Sequence, residues 1–115
     1  MIEWPKEWAP ISKEQLKKFS KIKMIIFDVD GVFTDGTIIR DEKGIEQRTF
    51  SVIDGHGISR LKNLGILVGA VSREPSEITK SRMKKLKIDE IHIGSDDKSI
   101  TVKEILKRRK IDTND

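Results

Sequence analysis

The sequence predicts an α/β sandwich with a parallel sheet, and three observations carry that prediction. First, the apolar runs Met24–Phe27 and Ile66–Val71 are short, bounded and free of polar alternation. That is the pattern of strands covered on both faces. Second, segments with helical spacing of apolar residues follow the second run and a third short strand at Glu90–Gly94. Third, the order of segments is strand, hairpin, helix, strand, helix, strand, helix, the alternation of parallel-sheet proteins.

The elements follow in order. Residues 1–20 read as an N-terminal extension with a short helix, and 21–115 as the core. Trp4, Pro5, Trp8 and Pro10 mark an extended lead-in, whose tryptophans dock on the domain or meet a partner subunit. Ser12 is placed to cap a helix over Lys13–Phe19, with Leu16 and Phe19 on one face. Thr37–Arg40 and Ile45–Val52 are β-prone and are separated by Asp41-Glu42-Lys43-Gly44, a turn with glycine at a left-handed position. Asp54 then caps a helix bearing Ile58, Leu61 and Leu64, which Gly65 stops. After Ile66–Val71 and Ser72, Pro75 stands near the first turn of a helix that carries Ile78, Met83 and Leu86. His92 lies on one face of the third strand as a structural residue. Asp96 or Asp97 caps the last helix, with Ile100, Ile105 and Leu106. Lys107–Lys110 form a basic last turn that suits the helix dipole.

Composition narrows the function. A chain of 115 residues is one domain with a modest core. It has no cysteine, so disulfide and thiolate chemistry are excluded, which fits a reducing compartment. No apolar run approaches the roughly 18 residues of a membrane span, and the start lacks the charged and apolar blocks of a signal peptide. The expectation is a cytoplasmic protein without a membrane partner. Charged residues make up 37% of the chain, yet the net charge is only +4. Aromatics are 5%, and basic residues are not interleaved with them, which argues against nucleic acid as a partner.

The chemistry concentrates at Asp28-Val29-Asp30-Gly31. Residues i and i+2 of a strand share a side, so Asp28 and Asp30 sit together at the strand's carboxyl end, the edge where open α/β sheets bind ligands. Paired carboxylates need a proton or a cation between them, and hard oxygen ligands suit Mg²⁺. One carboxylate can then be a nucleophile and the other a general acid and base. Asp-Gly pairs also start ordinary turns. At the end of the second strand, the Ser72 hydroxyl and the following amides can hold a phosphate at a helix start, or simply cap it.

The longer segment Phe27-Asp28-Val29-Asp30-Gly31-Val32-Phe33-Thr34-Asp35-Gly36 resembles the first motif of the haloacid dehalogenase superfamily of phosphotransferases. In particular it is similar to the small capless branch that dephosphorylates 3-deoxy-2-keto sugar acids. That branch includes the 3-deoxy-D-manno-octulosonate 8-phosphate phosphatases and the nonulosonate (sialic-acid type) 9-phosphate phosphatases. The resemblance implies a Rossmann-like three-layer sandwich, a β-hairpin flap after the first strand and no large cap domain. It implies that Asp28 takes the phosphoryl group and that Asp30 protonates the leaving sugar oxygen and then activates water. Mg²⁺ would be held by the Asp28 carboxylate and the Asp30 backbone carbonyl. The flap hairpins and neighbouring subunits would close the site, which implies a homotetramer.

The resemblance extends through two further motifs. Ser72 matches the residue that binds the transferring phosphoryl group, and Lys98 in Gly94-Ser95-Asp96-Asp97-Lys98 matches the lysine that neutralises it. Where the octulosonate pattern continues Thr-Gly-Arg, this chain has Ser72-Arg73-Glu74. Arg73 makes the phosphate loop more basic or tighter. Glu74, together with Arg82, resembles the nonulosonate branch, where glutamate faces the sugar. Solvated helix surface is the plainer reading of Arg73, Glu74 and Arg82. His56, in an Asp-Gly-x-Gly-Ile segment that the family places near the substrate, is a candidate sugar contact or a plain helix-start residue.

The family pattern continues with another strand and a fourth motif of Gly-Asp-Asp-x-x-Asp type that supplies a further metal carboxylate. The chain reaches Thr113-Asn114-Asp115 about where that strand is expected to begin. The expectation is therefore a C-terminally short core, either a fragment or a shortened relative. The leading function is a Mg²⁺-dependent sugar-acid phosphate phosphatase. The alternative is a catalytically impaired or non-catalytic oligomerisation or accessory module, like those attached to sialate cytidylyltransferases. A phosphoacceptor receiver fits poorly, because its acceptor aspartate ends the third strand, where this chain has Ile93-Gly94-Ser95.

Overall fold

The computed structural model describes residues 12–115; the expectations for Trp4, Pro5, Trp8 and Pro10 lie outside the described residues. Among the described residues the sheet has three parallel strands: β1 (Met24–Phe27), β4 (Leu67–Ser72) and β5 (Glu90–Ile93), in the order β1-β4-β5. Met24 is level with Leu67, and Gly69 with Glu90. A separate antiparallel hairpin is formed by β2 (Ile39–Arg40) and β3 (Glu46–Gln47). The helices are α1 (Lys13–Ser20), α2 (Val52–Asn63), α3 (Glu77–Lys85) and α4 (Lys98–Arg109).

The sheet separates two apolar layers. On one face Val68 and Ala70 meet Val29, Phe33, Ile58, Met83 and Ile88, the side of α2 and α3. On the other face Val71 and Met24 meet Ile105 of α4. Strand alternation explains the division, since neighbours along β4 point to opposite faces. Gly69 suits the close approach of β1: a Cβ there would stand 3.1 Å from Met24 Cε and 3.2 Å from Ile26 Cγ1, and these side chains would have to give way slightly. No large cap is present among the described residues, as the capless reading expects.

Local chemistry sets the helix ends. Ser12 accepts from the Gln15 amide while the Gln15 side chain accepts from the Ser12 amide, a reciprocal capping box. The expected apolar face of α1 is not covered by the described residues: Leu16 and Phe19 are exposed. α2 starts earlier than expected. Its cap is Ser51, not Asp54, and Asp54 sits in the first turn. The segment expected as a strand to Val52 is therefore cut short, and the hairpin strands are two residues each. Val52 and Ile53 look like strand residues because both are β-branched, but a serine in extended conformation ahead of an unpaired helix start prevails. Gly65, at φ +80°, closes α2 with its amide on the Lys62 carbonyl and that of Ile66 on Leu61. Ser76 caps α3, so Pro75 stands just outside the helix, next to its first turn as expected. Asp97 caps α4. Ile100 is exposed, and Ile105 is the buried anchor of that helix.

Ion pairs fasten the amino end of β5. Glu90 is buried at its start and receives Arg108 and Arg109 from the basic last turn of α4. Asp89, one residue earlier, accepts from the Val68 amide at 2.9 Å and from Lys62 Nζ at 3.0 Å. Partial burial disfavours the Asp89 charge, but the Val68 amide and the Lys62 and Arg109 cations outweigh it and hold the carboxyl below its ordinary range. A carboxyl that titrates lower when folded than its unfolded value of about 3.9 stabilises fully above that value. Its contribution is lost as pH falls through the folded value. Asp89→Asn is thus expected to cost about 1–3 kcal/mol at neutral pH, with the difference from the parent shrinking below about pH 4. Urea denaturation of both proteins across that range checks it; a gap independent of pH would exclude the ionic account.

At the outer side of β1 the Lys23 amide donates to the Asp115 carbonyl, and Lys23 Nζ pairs with the Asp115 carboxylate at 2.9 Å. Asp115 is therefore anchored at the strand's amino end. Among the described residues no strand pairs with β1 on this side.

Candidate active site at the strand ends

The three parallel strands bring their carboxyl ends to one edge. β1 stops at Phe27, so Asp28 and Asp30 stand just beyond it instead of within its last residues. The expected alternation holds there: Val29 is fully buried while Asp28 is exposed and Asp30 half-buried. The loop is closed by its own residues. The amides of Val32 and Phe33 donate to the Val29 carbonyl, and Phe33 packs edge-on to Phe27 with ring centroids 5.3 Å apart. The buried Thr34 hydroxyl accepts from the amides of Gly31 and Gly36. Both glycines have positive φ, +80° and +85°, a backbone that side chains disfavour. Thr34 is thus the clasp of the acidic loop, and its position within the motif is the one signal of that role in the sequence.

Asp28 and Lys98 meet across the edge. Lys98 Nζ donates to Asp28 Oδ1 at 2.8 Å, and the Val29 amide donates to the same oxygen at 2.8 Å. Oδ2 carries no hydrogen bond from the described residues. The Lys98 ammonium holds the Asp28 carboxyl below its ordinary value, against slight burial and with help from the Val29 amide. The carboxylate is therefore charged, fixed at one oxygen and open at the other. Lys98 reaches it because Asp97 caps α4 and points its first turn at β1.

Ser72 ends β4 and is 2% exposed. Its carbonyl accepts from the amides of Gly94 and Ser95, both at 2.9 Å, which ties the β5–α4 loop to the end of β4. Three sequence-predicted residues, Asp28, Asp30 and Lys98, thus share one edge with Ser72. Arg73 and Glu74 follow at the exposed start of the β4–α3 loop. Arg82 is engaged elsewhere: its guanidinium donates to the Ser51 carbonyl at 3.2 Å and lies 6.0 Å from the Phe50 ring centroid. In this arrangement Arg82 braces the start of α2. His56, expected at a helix start, lies within α2 and is exposed.

Arg48 was not singled out by the sequence reading. Its side chain is 1% exposed, with Nε 3.5 Å from Asp30 Oδ1 and Nη1 3.3 Å from Glu46 Oε2. The available signal was the alternation of Glu46, Arg48 and Phe50, which turn inward while Gln47 and Thr49 are exposed.

Two grooves flank the acidic edge. One, of about 410 Å³, runs between the acidic loop and the segment ahead of α2, lined by Thr34, Asp35, Thr49, Phe50 and Asp54 among others. A more apolar one of about 680 Å³ lies between Val32, Phe33 and α2. Among the described residues, no three of the His, Cys, Asp and Glu side chains gather into a cage for a metal. The donors that remain are the Asp28 carboxylate and the Asp30 backbone carbonyl, both hard oxygens. They fit Mg²⁺, which retains several waters and takes one or two protein carboxylates with substrate phosphate.

Comparison with known proteins agrees with this geometry. No protein-family model matches the chain. The 3-deoxy-D-manno-octulosonate 8-phosphate phosphatase KdsC of Yersinia pestis is 30% identical over 99 residues, which cover 86% of this chain and 53% of that protein. The chain thus spans about half the length of the curated relatives it matches. The octulosonate 8-phosphate phosphatase of Moraxella catarrhalis, solved with magnesium, phosphate and KDO, superposes with a TM-score of 0.81 at 35% identity, over 85% of this chain and 56% of that one. The cobalt-bound phosphatase of Haemophilus influenzae gives a TM-score of 0.78 at 33% identity, over 84% and 57%. Over the part that it spans, the chain is KdsC-like in sequence and fold, of the haloacid dehalogenase type.

Proposed function

We propose that the chain is a Mg²⁺-dependent phosphatase of a 3-deoxy-2-keto sugar-acid phosphate, octulosonate 8-phosphate or nonulosonate 9-phosphate. The observation that carries this reading is the state of Asp28: charged, held at Oδ1 by Lys98 and Val29, and open at Oδ2. Oδ2 attacks phosphorus, the bond from phosphorus to the sugar oxygen breaks, and Asp30 gives its proton to that oxygen. The Asp30 carboxylate then takes a proton from water, whose oxygen attacks the aspartyl phosphate and releases phosphate and free Asp28. Mg²⁺ on Asp28 and the Asp30 carbonyl would supply charge neutralisation to the phosphoryl oxygens. Lys98 shares that task, and Ser72 and Arg73 hold the phosphate at the start of the β4–α3 loop. Glu74, Arg82 and His56 are assigned to the sugar. For Arg82 this requires release from Ser51.

A homotetramer belongs to the same proposal. Ile39 and Ile45 of the hairpin and Val52 and Ile53 at the start of α2 are all more than half exposed, an apolar rim that suits subunit contact. A monomer in analytical ultracentrifugation would remove this part. The cytoplasmic setting rests on the absence of cysteine and is checked by cell fractionation.

The test is phosphate release from the two sugar-acid phosphates by the 115-residue chain, with Mg²⁺ and with excess EDTA. Release that depends on Mg²⁺ is expected. A folded chain with no release on either substrate would favour the accessory-module alternative.

A further inference from the structure

Arg48 is a charged side chain that the proposed chemistry leaves unused. A guanidinium taken out of water needs both countercharge and hydrogen bonds. Arg48 has the first and lacks the second: it lies between Asp30 and Glu46, yet Nε, Nη1 and Nη2 make no hydrogen bond of good geometry. Glu46 divides its oxygens, giving Oε1 to Arg40 and Oε2 to Arg48. Arg40, Glu46, Arg48 and Asp30 therefore form a row that runs from the β2–β3 hairpin to the acidic loop, with charges that alternate when Asp30 is ionised, the state in which it takes the proton from water. Three members belong to the hairpin or the residues just after it. The fourth is the proposed acid and base.

We propose that Arg48 is a positioning residue for Asp30, which couples the hairpin to the acid–base step. The inference rests on the reading of Asp30 given above. A small shift of the guanidinium converts its ionic contact with Asp30 into a hydrogen bond, and this fixes which way the carboxyl faces. Because the same guanidinium is held by Glu46, the position of the hairpin and the aim of Asp30 are linked. Linkage is reciprocal: loosening Asp30 must loosen the hairpin as well.

Two readouts test this in the 115-residue chain. The first compares kcat/KM, which reports the steps up to departure of the leaving group and not the aspartyl-phosphate hydrolysis common to both substrates, on octulosonate 8-phosphate, whose sugar alkoxide needs a proton to leave, and on 2,4-dinitrophenyl phosphate, whose phenolate does not. Arg48→Met is expected to lower the first by at least about tenfold more than the second, the scale of a general-acid contribution. Arg48→Lys restores part of the loss by keeping the charge. Asp30→Asn serves as the reference. If Asp30→Asn harms both substrates equally, the acid–base reading itself fails. If Asp30→Asn is selective while Arg48→Met harms both equally or neither, Arg48 does not position Asp30. The second readout is independent of turnover: hydrogen exchange of the amides of residues 39–47. Exchange is expected to quicken in Asp30→Asn as it does in Arg48→Met. Unchanged exchange in Asp30→Asn would overturn the coupling, because Arg48 would then hold the hairpin without Asp30.

Discussion

Asp28→Asn is expected to reduce phosphate release by at least about a thousandfold, as loss of a covalent nucleophile does, while the unfolding midpoint barely moves. The two halves of this expectation come from different atoms. Oδ2, open and charged, is the proposed attacking oxygen, and an amide nitrogen in its place cannot attack. Oδ1 carries the structural contacts, and the amide oxygen of asparagine still accepts from Val29 and Lys98. The ion pair that is lost joins side chains 44% and 47% exposed, and pairs of that kind contribute about 0–1 kcal/mol. Phosphate release and urea denaturation, measured on the same preparation, separate the outcomes. Wild-type turnover in the variant would end the nucleophile assignment. A collapse of stability would mean that the carboxylate is part of the scaffold.

Ile105→Ala is expected to cost about 2–5 kcal/mol, the range for truncating a buried isoleucine. That is a large share of the about 5–15 kcal/mol that holds a domain together. Ile105 is fully buried and is the one buried residue of α4, against Met24 and Val71. Val102 and Ile111 are partly covered beside it and cannot replace it. The effect reaches the site, since α4 carries Lys98 at its other end. Ile105→Val, which keeps most of the volume, is expected to lose only about 0.5–1.5 kcal/mol. The denaturant midpoint checks both. An alanine variant within the error of the parent would show that α4 is held by its Arg108 and Arg109 pairs with Glu90.

What the sequence revealed follows the range of the forces involved. The apolar run of β1 was legible, though the acidic residues after it lie outside the strand, and β4 and β5 were legible to within one residue, because a bounded apolar run records its own burial. The cap Ser12 was legible, and the last cap was narrowed to Asp96 or Asp97, because caps act within three residues. The start of α2 was misread. Val52 and Ile53 have strand-like side chains, but both are exposed, so no burial enforces that preference. Ile100 lies in the helix as expected, but it is an apolar residue that meets no core. At the site, Asp28 and Lys98 lie 70 positions apart, and their contact was expected from motif order alone. Arg48 was missed because its meaning depends on Asp30 and Glu46 facing it in space. Arginine within a β-prone segment otherwise reads as surface.

The unpaired outer side of β1 has a consequence for how this chain behaves in bulk. Met24-Ile25-Ile26-Phe27 contains no proline and no charge, the devices that blunt an edge strand. The Lys23–Asp115 contact covers only its amino end. Among the described residues, the remaining backbone groups on that side are a template for a strand from any molecule with a similar apolar run. Among the described residues, β1 is therefore an edge open to self-association, and it is the strand that leads to Asp28. A stray strand added there would lie beside the proposed nucleophile, so self-association through this edge would obstruct the candidate site.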